Sequence, residues 1–260
     1  MYGSQPVSSG LLHLVCRYPL LVVPIALGLI FGLPSLSQAP GECLPSSMIT
    51  FTFDDGYQST YDKAFPILEK YSYPATAFII TSAVGESGYM TIEQILDLAN
   101  KGWEIGSHTV SHVDLTELSD DQLSYELLES KKYLERFGLK VENFSSPYGE
   151  YNKRVIKAVA QYYFSHRTSR LVGLNDLPLN NPEDRYYLKS VSVEAKTTVE
   201  EVKQWITRAK EEGKWLILLF HHIDKSGDYN WSSENLEEVV RFAYEETFKG
   251  VLMTDVTDVK

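Results

Sequence analysis

Asp54 and Asp55 stand side by side at the end of the run MITFTFDDGY (48–57), and two pairs of histidines, His108 with His112 and His221 with His222, follow strand-forming stretches further along the chain. Two histidines four apart lie on one face of a helical turn and can bind one metal ion. A carboxylate from elsewhere then completes three protein ligands and leaves a position open to water or substrate. Zn²⁺ held that way acidifies water and polarises a carbonyl. A histidine at the end of an apolar strand such as LILLFHH serves as a general acid near neutral pH or as a further metal ligand. Each signal has a plainer reading taken alone: a turn aspartate beside Gly56, a chance HxxxH spacing, a strand-capping histidine. Their shared position after strands favours function for Asp54, Asp55, His108, His112 and His221. His222 and His166 read more readily as structural, and His13 lies in the leader.

The elements that must position these groups alternate from Met48 onward. Six apolar or β-branched residues end abruptly in the acid pair, as a buried strand delivering polar groups to its tip would, with Gly56 supplying the turn. Helical spacing over Tyr61–Tyr71 stops before Pro74, and Ala75–Ile80 reads as a strand. Thr91 caps a helix ending at Gly102, and Trp103–Ser107 runs as a strand into His108. Ser119–Phe137 opens with SDDQ and closes at Gly138, a capped amphipathic helix. A strand at Asn143–Ser146 ends in Pro147-Tyr148-Gly149, then come a helix at Asn152–Tyr162 and strands at Tyr163–Ser165 and Tyr187–Val193. Thr197 is the predicted cap of a helix over Thr198–Glu212; Trp215–Phe220 is the most apolar strand, and a helix at Ser232–Glu246 precedes a strand at Val251–Thr254. Helices between strands predict a parallel sheet or barrel, in which the loops after the strands share one rim. Asp54-Asp55, His108 with His112, Pro147-Tyr148-Gly149 and His221-His222 all fall on that rim.

Composition limits the partners. A formal charge of −11 argues against a binder of nucleic acid, which needs clustered Lys and Arg. Residues 1–39 contain no Asp or Glu, a single Arg17 and an apolar run from Pro19 to Leu33 leading to SLSQAP, which predicts a signal peptide cleaved after Ala39, or an anchor if it stays uncleaved. The run is short and broken by Pro24 and Pro34, so no stable membrane span is expected after cleavage. Residues 40–47 read as a short linker and 48–256 as one folded domain. Cys43 is the one cysteine outside the leader, so no internal disulfide is expected.

TFDDG, SHTVSH, PYG and the Leu219-x-His221 strand end, in this order, resemble the polysaccharide deacetylases: carbohydrate esterase family four, or the NodB-homology domain. The resemblance covers about residues 46–256 and identifies 48–256 as a catalytic domain. It implies an α/β fold of distorted (β/α)7-type barrel form and metal-dependent hydrolysis of N-acetyl or O-acetyl groups on sugars. By the same resemblance Asp54 is the base that activates water, and Asp55, His108 and His112 hold one divalent ion, Zn²⁺ first, with Co²⁺, Ni²⁺ or Mn²⁺ as substitutes. The backbone N–H of Tyr148 stabilises the oxyanion, His221 protonates the leaving amine, and Pro147, Tyr148 and Leu219 contact substrate. Two departures stand out. Ser145 occupies the place of the family's usual third-motif Arg, and Glu183-Asp184 before Arg185 is a poor fourth motif; Arg167 or Arg170, after the next strand, is the candidate replacement beside Asp54.

The resulting expectation is an exported hydrolase that removes N-acetyl groups from chitin, peptidoglycan or a poly-N-acetylglucosamine, located in the medium, the periplasm or at the cell surface, with an acetylated poly- or oligosaccharide as partner. Alternatives are a metal hydrolase of a non-sugar amide or ester, a silent carbohydrate-binding homologue, and, last, a structural barrel with incidental histidines. The oligomeric state is not legible.

Overall fold

The computed structural model describes residues 47–257. The expected signal peptide and most of the linker lie outside the described residues. The first strand, β1 (Met48–Phe53), is buried along its whole length, as expected of a strand with neighbours on both edges and layers on both faces. A π-helical turn at Thr60–Ala64 leads into α1 (Phe65–Lys70), β2 (Ala75–Ile79), α2 (Ile92–Asn100), β3 (Glu104–Ser107), α3 (Asp120–Glu135), β4 (Asn143–Ser145), α4 (Lys153–Tyr162) and β5 (Ser165–Arg167). Then follow β6 (Val191–Ser192), α5 (Val199–Glu212), β7 (Trp215–Phe220), β8 (His222–Ile223), β9 (Asn230–Trp231), α6 (Ser233–Glu245), β10 (Lys249–Gly250) and α7 (Met253–Thr257). The capping boxes Thr91/Gln94 and Ser119/Gln122 start α2 and α3 as their sequences predict. No helix among the described residues is long and apolar enough to cross a membrane.

The main sheet runs β5-β4-β3-β2-β1-β7-β6 with parallel pairing throughout, and β10 adds to the start of β1. A parallel bridge between Arg167 and Leu188 joins β5 to the segment entering β6, so the curled sheet closes into a distorted barrel. The sequence-predicted strand at Tyr187–Val193 is therefore split, because Leu188 bonds to β5 and Val191–Ser192 bonds to β7. Three other expectations need correction. The strand expected at Tyr163–Ser165 begins at Ser165, because the Tyr163 N–H still bonds to Val159 of α4. Thr198, not Thr197, caps α5, its hydroxyl accepting from Glu201 N–H. The strand expected at Val251–Thr254 lies earlier, at Lys249–Gly250, and Met253 already starts α7.

Alternation along the strands sorts side chains into two layers. Ile49, Phe51, Phe53, Ala77, Ile105, Leu216 and Leu218 pack outward under the helices, whereas Met48, Phe78, Trp215 and Ile217 fill the barrel with Val251, Met253 and Val256. Gly106 leaves the space that Phe78 occupies, since a Cβ there would meet the Phe78 ring at 2.5 Å. Near the starts of the strands a buried Glu104 carboxylate accepts from Thr76 Oγ1 (2.9 Å) and Met253 N–H (3.1 Å), and also from Asn143 and Thr254. That network fastens α7 under the barrel. At the other end the inward parity of Thr50 and Thr52 continues to Asp54.

Candidate active site

Parallel pairing in register carries the strand ends to one rim. Phe53 pairs with Phe220, so Asp54 and His221 follow side by side; Ile79 pairs with Ser107, placing His108 next; Ser145 pairs with Arg167. Asp54 N–H bonds to Phe220 O (2.9 Å) and His108 N–H to Ile79 O (2.9 Å), extending the ladder one residue past the strands. The chain then turns sharply. Asp55 (φ 72°) and Gly56 (φ 79°) are both left-handed, and this is how consecutive carboxylates reach the same cleft from a strand whose side chains would otherwise diverge. His112 (φ 55°) and Tyr148 (φ 58°) share that conformation, a cost of about 1–3 kcal/mol each that clusters at functional sites.

Asp55 Oδ1 lies 3.4 Å from His108 Nε2 and 3.4 Å from His112 Nε2. It is buried without a hydrogen-bond partner. His108 Nδ1 donates to Ser145 O (2.7 Å), which turns its Nε2 toward Asp55. The three ligand atoms lie within 4.8 Å of one another. An orphaned carboxylate oxygen between two imidazole nitrogens, one with its tautomer set from behind, fits a divalent cation. The loop between the histidines is held by Glu126 of α3, which accepts from the N–H groups of Val110 (2.8 Å) and Ser111 (3.0 Å) and from Ser111 Oγ (2.6 Å). Nothing in the sequence singles out Glu126, because acids on helices are ordinarily solvated.

Asp54 has different partners. Arg167 Nη2 donates to Asp54 Oδ1 and to Ser145 Oγ (2.7 Å), and Ser145 Oγ donates to Asp54 Oδ2 (3.3 Å). Arg167 is 1% exposed and its guanidinium lies 5.1 Å from the centre of the Phe78 ring. Burial pushes the Asp54 carboxyl up, but the charges of Arg167, His108 and His221 outweigh it and hold the group below the usual carboxylate range. Asp55 follows the same pattern, burial being outweighed by the neighbouring charges of His108, His221 and His112.

A cleft of about 440 Å³ opens over these groups, lined among others by Asp54, Asp55, His108, His112, Tyr148, Leu219 and His221. His221 Nδ1 is buried without a partner, and its ring lies 5.1 Å from that of Tyr229. The Tyr148 ring meets His112 edge-on at 4.7 Å. Pro147, expected at the substrate, is buried and does not line the cleft, because it opens the tight turn that swings Tyr148 outward. Arg170 lines the cleft but pairs with Glu150, so Arg167 alone of the two reaches Asp54. The Glu183-Asp184-Arg185 segment lies in a 3₁₀ turn, with Arg185 over Phe164 (4.2 Å). His222 stacks on Tyr57, ring centres 3.4 Å apart.

His166 sits fully buried behind the site, donating from Nδ1 to Tyr186 O (2.7 Å) and accepting at Nε2 from Ser146 Oγ (2.9 Å). Burial, aided by the Arg167 charge, lowers its pKa to about 4. An unfolded chain takes up this proton at about pH 6.5, whereas the fold refuses it until about pH 4. Stability from this group is thus complete above about pH 6.5 and falls with pH, by roughly 3 kcal/mol in all. Denaturation midpoints measured from pH 7 to pH 4 should show that loss in the natural protein and a flatter profile in His166→Gln.

Fold and site together define an α/β barrel that gathers a two-histidine, one-carboxylate cluster at the rim of its strand ends. Residues 41–165 match the polysaccharide deacetylase family model, so this stretch of the chain is similar to that family. A peptidoglycan-N-acetylglucosamine deacetylase of Bacillus cereus is 33% identical over 115 residues, 44% of this chain and 52% of that one. A poly-β-1,6-N-acetyl-D-glucosamine N-deacetylase of Staphylococcus aureus is 27% identical over 180 residues, 62% of this chain and 59% of that one. The chain thus spans about half the length of these curated relatives. Among solved structures, the Bc1960 peptidoglycan N-acetylglucosamine deacetylase superposes with a TM-score of 0.60 over 82% of this chain and 89% of its own, at 17% identity, a likeness of fold. The family match ends at Ser165, short of both Arg167 and His221.

Proposed function

We propose that this protein is a metal-dependent N-deacetylase of an N-acetylglucosamine-containing polysaccharide. The reading rests on the orphaned Asp55 Oδ1 between His108 and His112, with an ionised Asp54 beside it in the same cleft. Asp55, His108 and His112 would hold one divalent ion, Zn²⁺ first. Bound there, the ion supplies a Lewis acid for the acyl carbonyl and acidifies water. Asp54, kept charged by Arg167, takes the proton of the attacking water. The Tyr148 backbone N–H supports the oxyanion. His221, which also lines the cleft, gives a proton to the leaving amine, and Leu219 and Tyr148 contact the sugar or its acetyl group. Two adjacent acids divide the work, since a carboxylate committed to a cation is a poor base. Export directed by residues 1–39 fits a polymer outside the cell. The test is acetate release from N-acetylglucosamine oligomers by the chain from Pro40 onward. Release should vanish on chelation and return with Zn²⁺, and Asp55→Ala should lose stoichiometric ion uptake. Stoichiometric ion without acetate from any oligomer would turn the reading to a non-sugar amide or ester.

A further inference from the structure

Beside the cleft runs a groove of about 630 Å³, between the segment after β6 and the face of α5 carrying Gln204, Trp205 and Arg208. Ser192 and Glu194 line both hollows, so the groove opens off the cleft. Three other hollows among the described residues share no wall with it or with the cleft. A polymer bound at its reacting sugar must send its neighbouring sugars somewhere, and this groove offers a continuous path. Trp205, half-buried, offers an aromatic surface of the kind that packs against the apolar face of a sugar, with polar groups around it.

The charges at the junction say more. Arg208 is engaged by Glu212, and Glu201 caps Thr198. Glu194 has its backbone fixed by Thr197, whose hydroxyl accepts from Glu194 N–H (3.0 Å), while its carboxylate has no ion pair or hydrogen bond among the described residues. Lys196 is likewise unpaired, but it lines the groove alone; Glu194 faces the cleft as well. Each turnover of the proposed reaction leaves a free amine, protonated at neutral pH, on the chain.

Building on the deacetylase reading, we propose that this groove holds the sugars adjoining the reacting one and that Glu194 pairs with a protonated amine left there by an earlier turnover, making partly deacetylated chains the preferred substrates. The test compares kcat/KM for a fully acetylated N-acetylglucosamine pentamer and for pentamers bearing one free amine. The natural protein should favour one amine-bearing isomer by about fivefold at low salt, the preference shrinking as salt is added. Glu194→Gln should bring that ratio to about one, and Trp205→Ala should remove the gain in kcat/KM from dimer to pentamer. A ratio of one in the natural protein, or a fivefold ratio that survives Glu194→Gln, overturns the proposal with the deacetylase reading intact. No acetate from any oligomer overturns both.

Discussion

Asp54→Asn is expected to lower acetate release by about 10²–10⁴-fold, the usual loss when a positioned general base is removed, with divalent-ion uptake little changed. The two parts of this expectation come from different geometry. Asparagine has the shape of aspartate and can still accept from Arg167, so the local structure should persist, but it cannot take a proton. Ion uptake depends on Asp55 Oδ1, 3.4 Å from both histidine Nε2 atoms, whereas the nearest approach of Asp54 is Oδ2 at 3.8 Å from His108 alone. Acetate release and bound-ion content, measured on one preparation, separate the roles. Loss of activity and ion together would make Asp54 a ligand, and full activity would remove it from the chemistry.

The sequence makes most of this site legible because strand ends are legible. A buried parallel strand is a continuous apolar run, and MITFTF and WLILLF announce both their own existence and the rim to which Asp54 and His221 belong. The short strands are harder. Asn143–Ser145 and Ser165–Arg167 contribute inward polar residues, Asn143, Ser145, Ser165 and Arg167, which meet one another inside the barrel and leave no apolar signature there. Glu126 is invisible for the same reason: its burial is created by a loop packed against it from elsewhere in the chain. The family resemblance puts Pro147 at the substrate, but the left-handed turn at Tyr148 carries the tyrosine into the cleft and leaves Pro147 buried behind it.

Exchanging the residues of one register pair, Ser145→Arg with Arg167→Ser, should return much of what Arg167→Ser alone destroys. The single change strands a buried carboxylate: Asp54 is 3% exposed, and its remaining partners are the weak Ser145 contact at 3.3 Å and His108 at 3.8 Å. Removing one member of a buried ion pair costs about 3–5 kcal/mol. It also ends the charge that offsets burial, so the Asp54 carboxyl rises and the acid limb of kcat/KM moves to higher pH. Ser145 and Arg167 sit directly across from each other on β4 and β5, facing Asp54 at one level of the barrel. A guanidinium grown from position 145 therefore starts one strand nearer Asp54, with a serine opposite to accept its second N–H. Thermal unfolding and pH–rate profiles of the two variants should show the single change unstable and shifted, and the exchanged pair restored in both. If the pair stays as unstable as the single change, what matters at 167 is its place over Phe78 and not the charge it brings to Asp54.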